Sequence, residues 1–144
     1  MNKIICLALF FLCIACPALA AERVALVIGN NDYAHSPLLN SVNDANDVAQ
    51  LLERMGFLVI KEVNSDRKSM HRAIDVFYME LAESDAALFY YAGHAVQLNG
   101  RNWLMPIGAD VSVESDVESE GVDVQRVLSR MEEAGSRINV VILD

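Results

Sequence analysis

Four short strand-like runs, separated by segments with helical spacing, most narrowly limit what this chain can become. The runs cover residues 24–28, 57–63, 86–91 and 138–143. Residues 24–28 are β-branched-rich with no polar interruption, as expected of a strand covered on both faces. Between the first two runs, Ala45, Val48, Ala49, Leu52 and Met55 recur at helical spacing. Asp47, Gln50, Glu53 and Arg54 take the other faces. Ser41, three residues before Asp44, reads as the helix start, and Gly56 ends it. A cap region at Asn64-Ser65-Asp66 precedes a second helix that turns Met70, Ile74, Phe77 and Leu81 inward. Val124, Val127, Leu128 and Met131 predict a third. Strands alternating with helices predict a three-layer α/β domain, a mostly parallel sheet with helices on both faces.

One hairpin interrupts the alternation. Val96, Leu98, Trp103 and Met105 flank Asn99-Gly100, a strong short-range hairpin signal. The acidic stretch over residues 110–123 has no period and reads as a solvated linker. In open parallel sheets, sites form in the crevice beyond the carboxyl ends of the strands. Here those ends are Gly29 to Tyr33, Gly93-His94 and Asp144. That rim is where chemistry is expected.

The amino terminus predicts export. Lys3 is followed by an almost wholly apolar run over residues 4–16, then Pro17 and small residues at Ala18 and Ala20. This pattern predicts a signal peptide over residues 1–20 and a periplasmic or secreted protein. The run is short for a membrane span. A lipid anchor on Cys16 and an uncleaved anchor helix are the alternatives. Cys6, Cys13 and Cys16 are all the cysteines of the chain, so the expected mature domain has no disulfide framework. The formal charge of -9 argues against nucleic acid or an anionic membrane as partner and suits a basic peptide.

His94 is the sharpest candidate. A strand-end His bonded to a loop carbonyl is the structural alternative to a catalytic one. Gly93 before it permits close approach of backbone or substrate. Asp44 is either a helix-start acid facing the helix dipole or a pocket residue. The acids Asp110, Glu114, Asp116, Glu118 and Glu120 lack the glycine and ligand spacing of a calcium loop. His35 and His71 read as surface residues. Gly29-Asn30-Asn31 lacks the glycine series of a dinucleotide fingerprint.

The chain resembles the caspase and metacaspase family of cysteine peptidases, in its bacterial secreted form. The stretches that carry the resemblance begin with Arg23-Val24-Ala25-Leu26-Val27-Ile28-Gly29-Asn30 and Asn43-Asp44-Ala45. Next come Phe89-Tyr90-Tyr91-Ala92-Gly93-His94, Gln97, Gly100-Arg101-Asn102-Trp103-Leu104 and Pro106, and then Val141-Ile142-Leu143-Asp144. The resemblance implies a caspase-like catalytic domain over residues 21–144. It implies that His94 is the proton-transfer partner of a Cys thiolate, and that the backbone N–H of Ala95, where the family usually has Gly, helps hold the oxyanion. Asp44 and Asp144 would line a pocket for Arg or Lys of a peptide or protein substrate. The nucleophile is expected shortly after Asp144, so the 144 residues are expected to be inactive alone. A pseudo-peptidase that binds peptides or a partner without cutting is the rival reading, and a plain α/β ligand-binding domain is a second. No cofactor is expected, although calcium dependence occurs in some metacaspases. The family adds strands beyond the fourth, so an open sheet edge and self-association are expected.

Overall fold

The computed structural model describes residues 23–82 and 84–144. The expected leader over residues 1–20 lies outside the described residues. Among the described residues, no helix is long and apolar enough to cross a membrane.

The elements follow the expected alternation. Strand β1 (Arg23–Gly29) leads to helix α1 (Ser41–Arg54), β2 (Leu58–Val63), α2 (Arg67–Glu80) and β3 (Ala86–Ala92). The hairpin β4 (Ala95–Leu98) and β5 (Arg101–Leu104) comes next, then α3 (Glu114–Glu120) and the short β6 (Val122–Asp123). Helix α4 (Val124–Ala134) and β7 (Ile138–Leu143) follow. The main sheet has the order β2-β1-β3-β7, with all pairs parallel. A second sheet, β4-β5-β6, is antiparallel.

The period of two along β1 and β3 divides the core. Val24, Leu26, Ile28, Ala87, Phe89 and Tyr91 face Met70, Ile74 and Phe77 of α2 and Val127 and Met131 of α4. Ala25, Val27, Tyr90 and Ala92 face Ala45, Ala49 and Leu52 of α1. Removing each large aliphatic side chain from water stabilises the fold by about 1.5–3 kcal/mol. That gain on both faces fixes the register: a one-residue slip would exchange the two core faces. In the observed register Gly29 lies opposite Ala92, and Tyr91 opposite Leu143. The strands therefore end level, and their following residues share one rim.

Three local expectations differ from the structure. Residues 110–123 are not a linker: they form α3 and β6. The Asp116 carboxylate accepts from the backbone N–H of Ser112 and Val113 at 3.0 and 2.9 Å, and Val117 is buried with Leu98, Trp103 and Met105. Two buried valines, Val117 and Val122, five residues apart leave no period to read. Ser41 starts α1 but does not cap it. Asn40 is the N-cap residue and makes no side-chain cap bond, while Ser41 is buried. Met55 falls just beyond α1 and is 52% exposed. The hairpin is as expected, with Asn99 at φ 52° and Gly100 at φ 76°, both in the left-handed region that a tight two-residue turn requires.

Candidate active site

Strand β3 carries two tyrosines to the rim and turns them to opposite faces. Tyr91 points towards α2. Its hydroxyl lies 2.8 Å from the His94 carbonyl and 3.0 Å from the Met105 carbonyl, both acceptors for its one proton. Tyr33, from the loop after β1, reaches the same spot. Its hydroxyl donates to the Met105 carbonyl at 3.0 Å and accepts from the His94 backbone N–H at 3.1 Å. Burial pushes both phenols above their ordinary pKa, Tyr91 by far the more, so both remain neutral donors. A Cβ on Gly93 would sit 2.6 Å from the Tyr91 hydroxyl and 2.7 Å from that of Tyr33. Only glycine lets the chain cross this pair of hydroxyls. Asn30, fully buried, ties the rim down further: its Oδ1 accepts from the Ser65 N–H at 2.8 Å, and its Nδ2 donates to the Met105 carbonyl at 3.4 Å.

The His94 ring is thereby aimed. Its Nε2 lies 2.7 Å from the Ser36 carbonyl, and its ring centroid is 4.4 Å from that of Tyr33. A carbonyl only accepts, so this contact places a proton on Nε2. In the neutral ring it leaves Nδ1 with the lone pair. The loop-carbonyl contact and a base role are thus compatible: the first sets the tautomer that the second needs.

Tyr90 points to the α1 side and holds Asp144. Its hydroxyl donates to Asp144 Oδ2 at 3.0 Å. Its pKa is pushed up to about 12 by burial, then by the Asp144 hydrogen bond and charge, and then by the Asp44 charge. Asp144 is seated by its backbone, donating its N–H to the Tyr91 carbonyl at 2.8 Å and accepting from the Gly93 N–H at 3.3 Å. Asp44 stands in the first turn of α1, half-buried, where the helix dipole also favours its charge. Asp44 and Asp144 line one cleft of about 380 Å3 with Leu38, Leu39, Gly93 and His94. The structure therefore brings together His94, Asp44 and Asp144, which lie far apart in sequence.

Ala95 opens β4, opposite Leu104. The Met105 N–H donates to the His94 carbonyl at 2.9 Å, which makes 94 and 105 a hydrogen-bonded pair. Alternation along the ladder then leaves Ala95 in a non-bonded position, with its N–H turned away from β5. Ala95 is not among the residues at positive φ, so the methyl in place of the usual glycine meets no backbone strain.

Tyr33, Ser36, Tyr90 and Tyr91 were not singled out by the sequence reading. The one available signal was the tandem Tyr90-Tyr91 at the end of a buried strand, where period two must send the phenols to opposite faces. Among the described residues, no group of three or more His, Cys, Asp or Glu side chains is placed to hold a metal ion.

His71 is not a surface residue. It is half-buried on α2, and its Nδ1 is buried with no hydrogen-bond partner among the described residues. Burial first, and then the charges of Arg126 and Arg67, lower its pKa from 6.5, while Asp75 opposes them. The unfolded chain thus binds the proton more readily than the folded one. The His71 contribution is fully present above pH 6.5 and is lost as pH falls from there through the lower folded value. Urea melts between about pH 7 and 5 should show this slope reduced in His71→Gln. An unchanged slope would assign it to other groups.

Residues 22–144 match the family model of the caspase domain, and the chain belongs to that family of peptidases. It is similar to the human mucosa-associated lymphoid tissue lymphoma translocation protein 1, with 32% identity over 127 residues. The match covers 88% of this chain and 15% of that protein. The mouse homolog matches to the same extent. The chain thus spans only 15% of the length of these curated relatives. The crystal structure of the Drosophila initiator caspase Dronc superposes with a TM-score of 0.65 at 11% identity, covering 83% of this chain and 47% of that one. At that identity the likeness is one of fold, and it agrees with the three-layer caspase-like architecture.

Proposed function

We propose that this caspase-like peptidase domain serves cleavage of peptide bonds after Arg or Lys by a thiolate assisted by His94. The observation that carries the reading is the shared cleft of Asp44 and Asp144 with His94 on its wall. Two carboxylates suit a guanidinium or an ammonium, and Leu38 and Leu39 offer apolar surface to its aliphatic stem. In the reaction His94 takes the thiol proton, the sulfur attacks the peptide carbonyl carbon, and the oxyanion accepts a hydrogen bond from the Ala95 N–H. His94 passes that proton to the leaving amine, then deprotonates the water that attacks the thioester carbon, and the departing sulfur recovers a proton from His94. The scheme uses no metal or organic cofactor.

Residues 23–144 contain no cysteine, so these residues by themselves should not hydrolyse peptides by this route. The test is a peptide panel, varied only at the residue before the cut, given to the protein in a form that presents a thiol at this rim. Asp44→Asn should lower kcat/KM for Arg peptides by roughly 10- to 100-fold, the equivalent of about 1.5–3 kcal/mol for a lost charged hydrogen bond. A preference for Asp before the cut would sink the pocket assignment.

We also infer that the open β7 edge is an association surface. It is the outer strand of the main sheet, and Ile138 is 60% exposed and Ile142 42%. Unpaired apolar edges recruit other strands. Sedimentation of the 144-residue chain should show concentration-dependent association, and a monodisperse monomer would count against it.

A further inference from the structure

His94 is the wall between two clefts. Among the described residues it alone lines both the acidic cleft and a second one of about 420 Å3. The second cleft is formed by Tyr33, Val96, Met105, Pro106 and Val111, with His35, Ser36 and Asp110 also contributing. We propose that this second cleft is a substrate subsite for a bulky apolar side chain, Leu or Phe, on the residue that follows the cleaved bond. The inference rests on the peptidase reading above.

Two observations carry it. The first is position. His94 must reach the nitrogen of the cleaved bond to return a proton to it. A peptide whose basic residue occupies the cleft of Asp44 and Asp144 therefore crosses His94. The residue that owns the scissile nitrogen then emerges on the other side, over the second cleft.

The second observation is chemistry. The inner polar groups of that cleft already have partners. The Tyr33 hydroxyl is taken by the Met105 carbonyl and the His94 N–H, and His94 Nε2 by the Ser36 carbonyl. The Met105 carbonyl is further approached by Tyr91 and Asn30. The apolar surface offered to a ligand is the Tyr33 ring with Val96, Pro106 and Val111. Val96 and Val111 are 36% and 40% exposed. An apolar side chain placed there shields them from water, whereas an acidic one would lose its own water at an apolar wall. Asp110 adds negative charge at this cleft and further disfavours an acidic residue.

The test measures binding of Arg-X peptides to the full-length protein, where X is Gly, Leu, Phe or Glu. The bond between Arg and X is replaced by an uncleavable methylene-amine link, so binding is read whether or not the protein turns over. The Leu and Phe peptides should bind on the order of tenfold or more tighter than the Gly peptide, and the Glu peptide weakest. Val96→Asp and, separately, Val111→Asp should erase the Leu-over-Gly ratio while the requirement for Arg persists. Equal binding of the Gly and Leu peptides, with Arg and Asp44 still required, would overturn the subsite and leave the peptidase specificity standing. A Leu preference that Val96→Asp removes, without any dependence on Arg or Asp44, would keep the subsite and overturn the basic specificity. No binding of any peptide would overturn both.

Discussion

Replacing His94 by Ala should cut the turnover of the thiol-bearing protein by roughly 10²–10⁴-fold. The ring is held at both ends of its role. The His94 backbone N–H is bound by Tyr33, and the ring's Nε2 faces the Ser36 carbonyl, which leaves Nδ1 with the lone pair. Removing the ring takes away the group that keeps the sulfur ionised and the group that protonates the leaving amine. The ring is only half-buried, so the fold should survive and the melting temperature should move little. Single-turnover assays on folded variant and parent, matched by circular dichroism, make the comparison. Partial rescue of His94→Ala by added imidazole would mark lost proton transfer rather than a displaced loop. Cleavage left intact by the substitution would remove His94 from the mechanism.

Gly93→Val should damage both stability and function without changing His94, Asp44 or Asp144 chemically. The new Cβ would fall 2.6 Å from the Tyr91 hydroxyl and 2.7 Å from that of Tyr33, well inside contact distance. Either the tyrosines move or the backbone does. Overpacking of this kind costs about 1–3 kcal/mol. Displacing the hydroxyls would also unpair the His94 N–H and leave the Met105 carbonyl short of donors, at about 1–3 kcal/mol for each buried group left unsatisfied. Because these same bonds aim the His94 ring, turnover should fall with the stability. Urea denaturation gives the first effect and cleavage below the transition the second. A Gly93→Val protein with parental stability and turnover would show that the tyrosine pair yields freely and does not hold the site.

The match between sequence and structure is closest where burial dictates the pattern. Met70, Ile74, Phe77 and Leu81 are each fully buried, at the spacing that predicted it. The Asn99-Gly100 turn has the backbone its residue types demand. His94, Asp44 and Asp144 stand out in the sequence as strand-end or helix-start polar residues, and the resemblance assigns them to one site. The misreadings share a cause. Helix α3 has one buried residue, Val117, and its start is capped by a carboxylate from within, so neither period nor flanking signal shows. His71 occupies a polar position on α2 but lines a cleft with side chains brought from α4 and β5, which no local window contains.

By itself the sequence determined the alternation of elements, the apolar faces and the residue types at the strand ends, because these follow from local periodicity and from the cost of exposing apolar surface. The tertiary structure alone decided how the ends meet. Parallel register levels Gly29, Ala92 and Asp144 at one rim, and the Tyr90 hydroxyl holds Asp144 there. Tyr33 and Ser36 from the loop after β1, and Tyr91 from β3, aim the His94 ring and set its tautomer. Hydrogen bonds between residues about 60 positions apart have no signature in local sequence, because their geometry exists only once the sheet has brought the loops together.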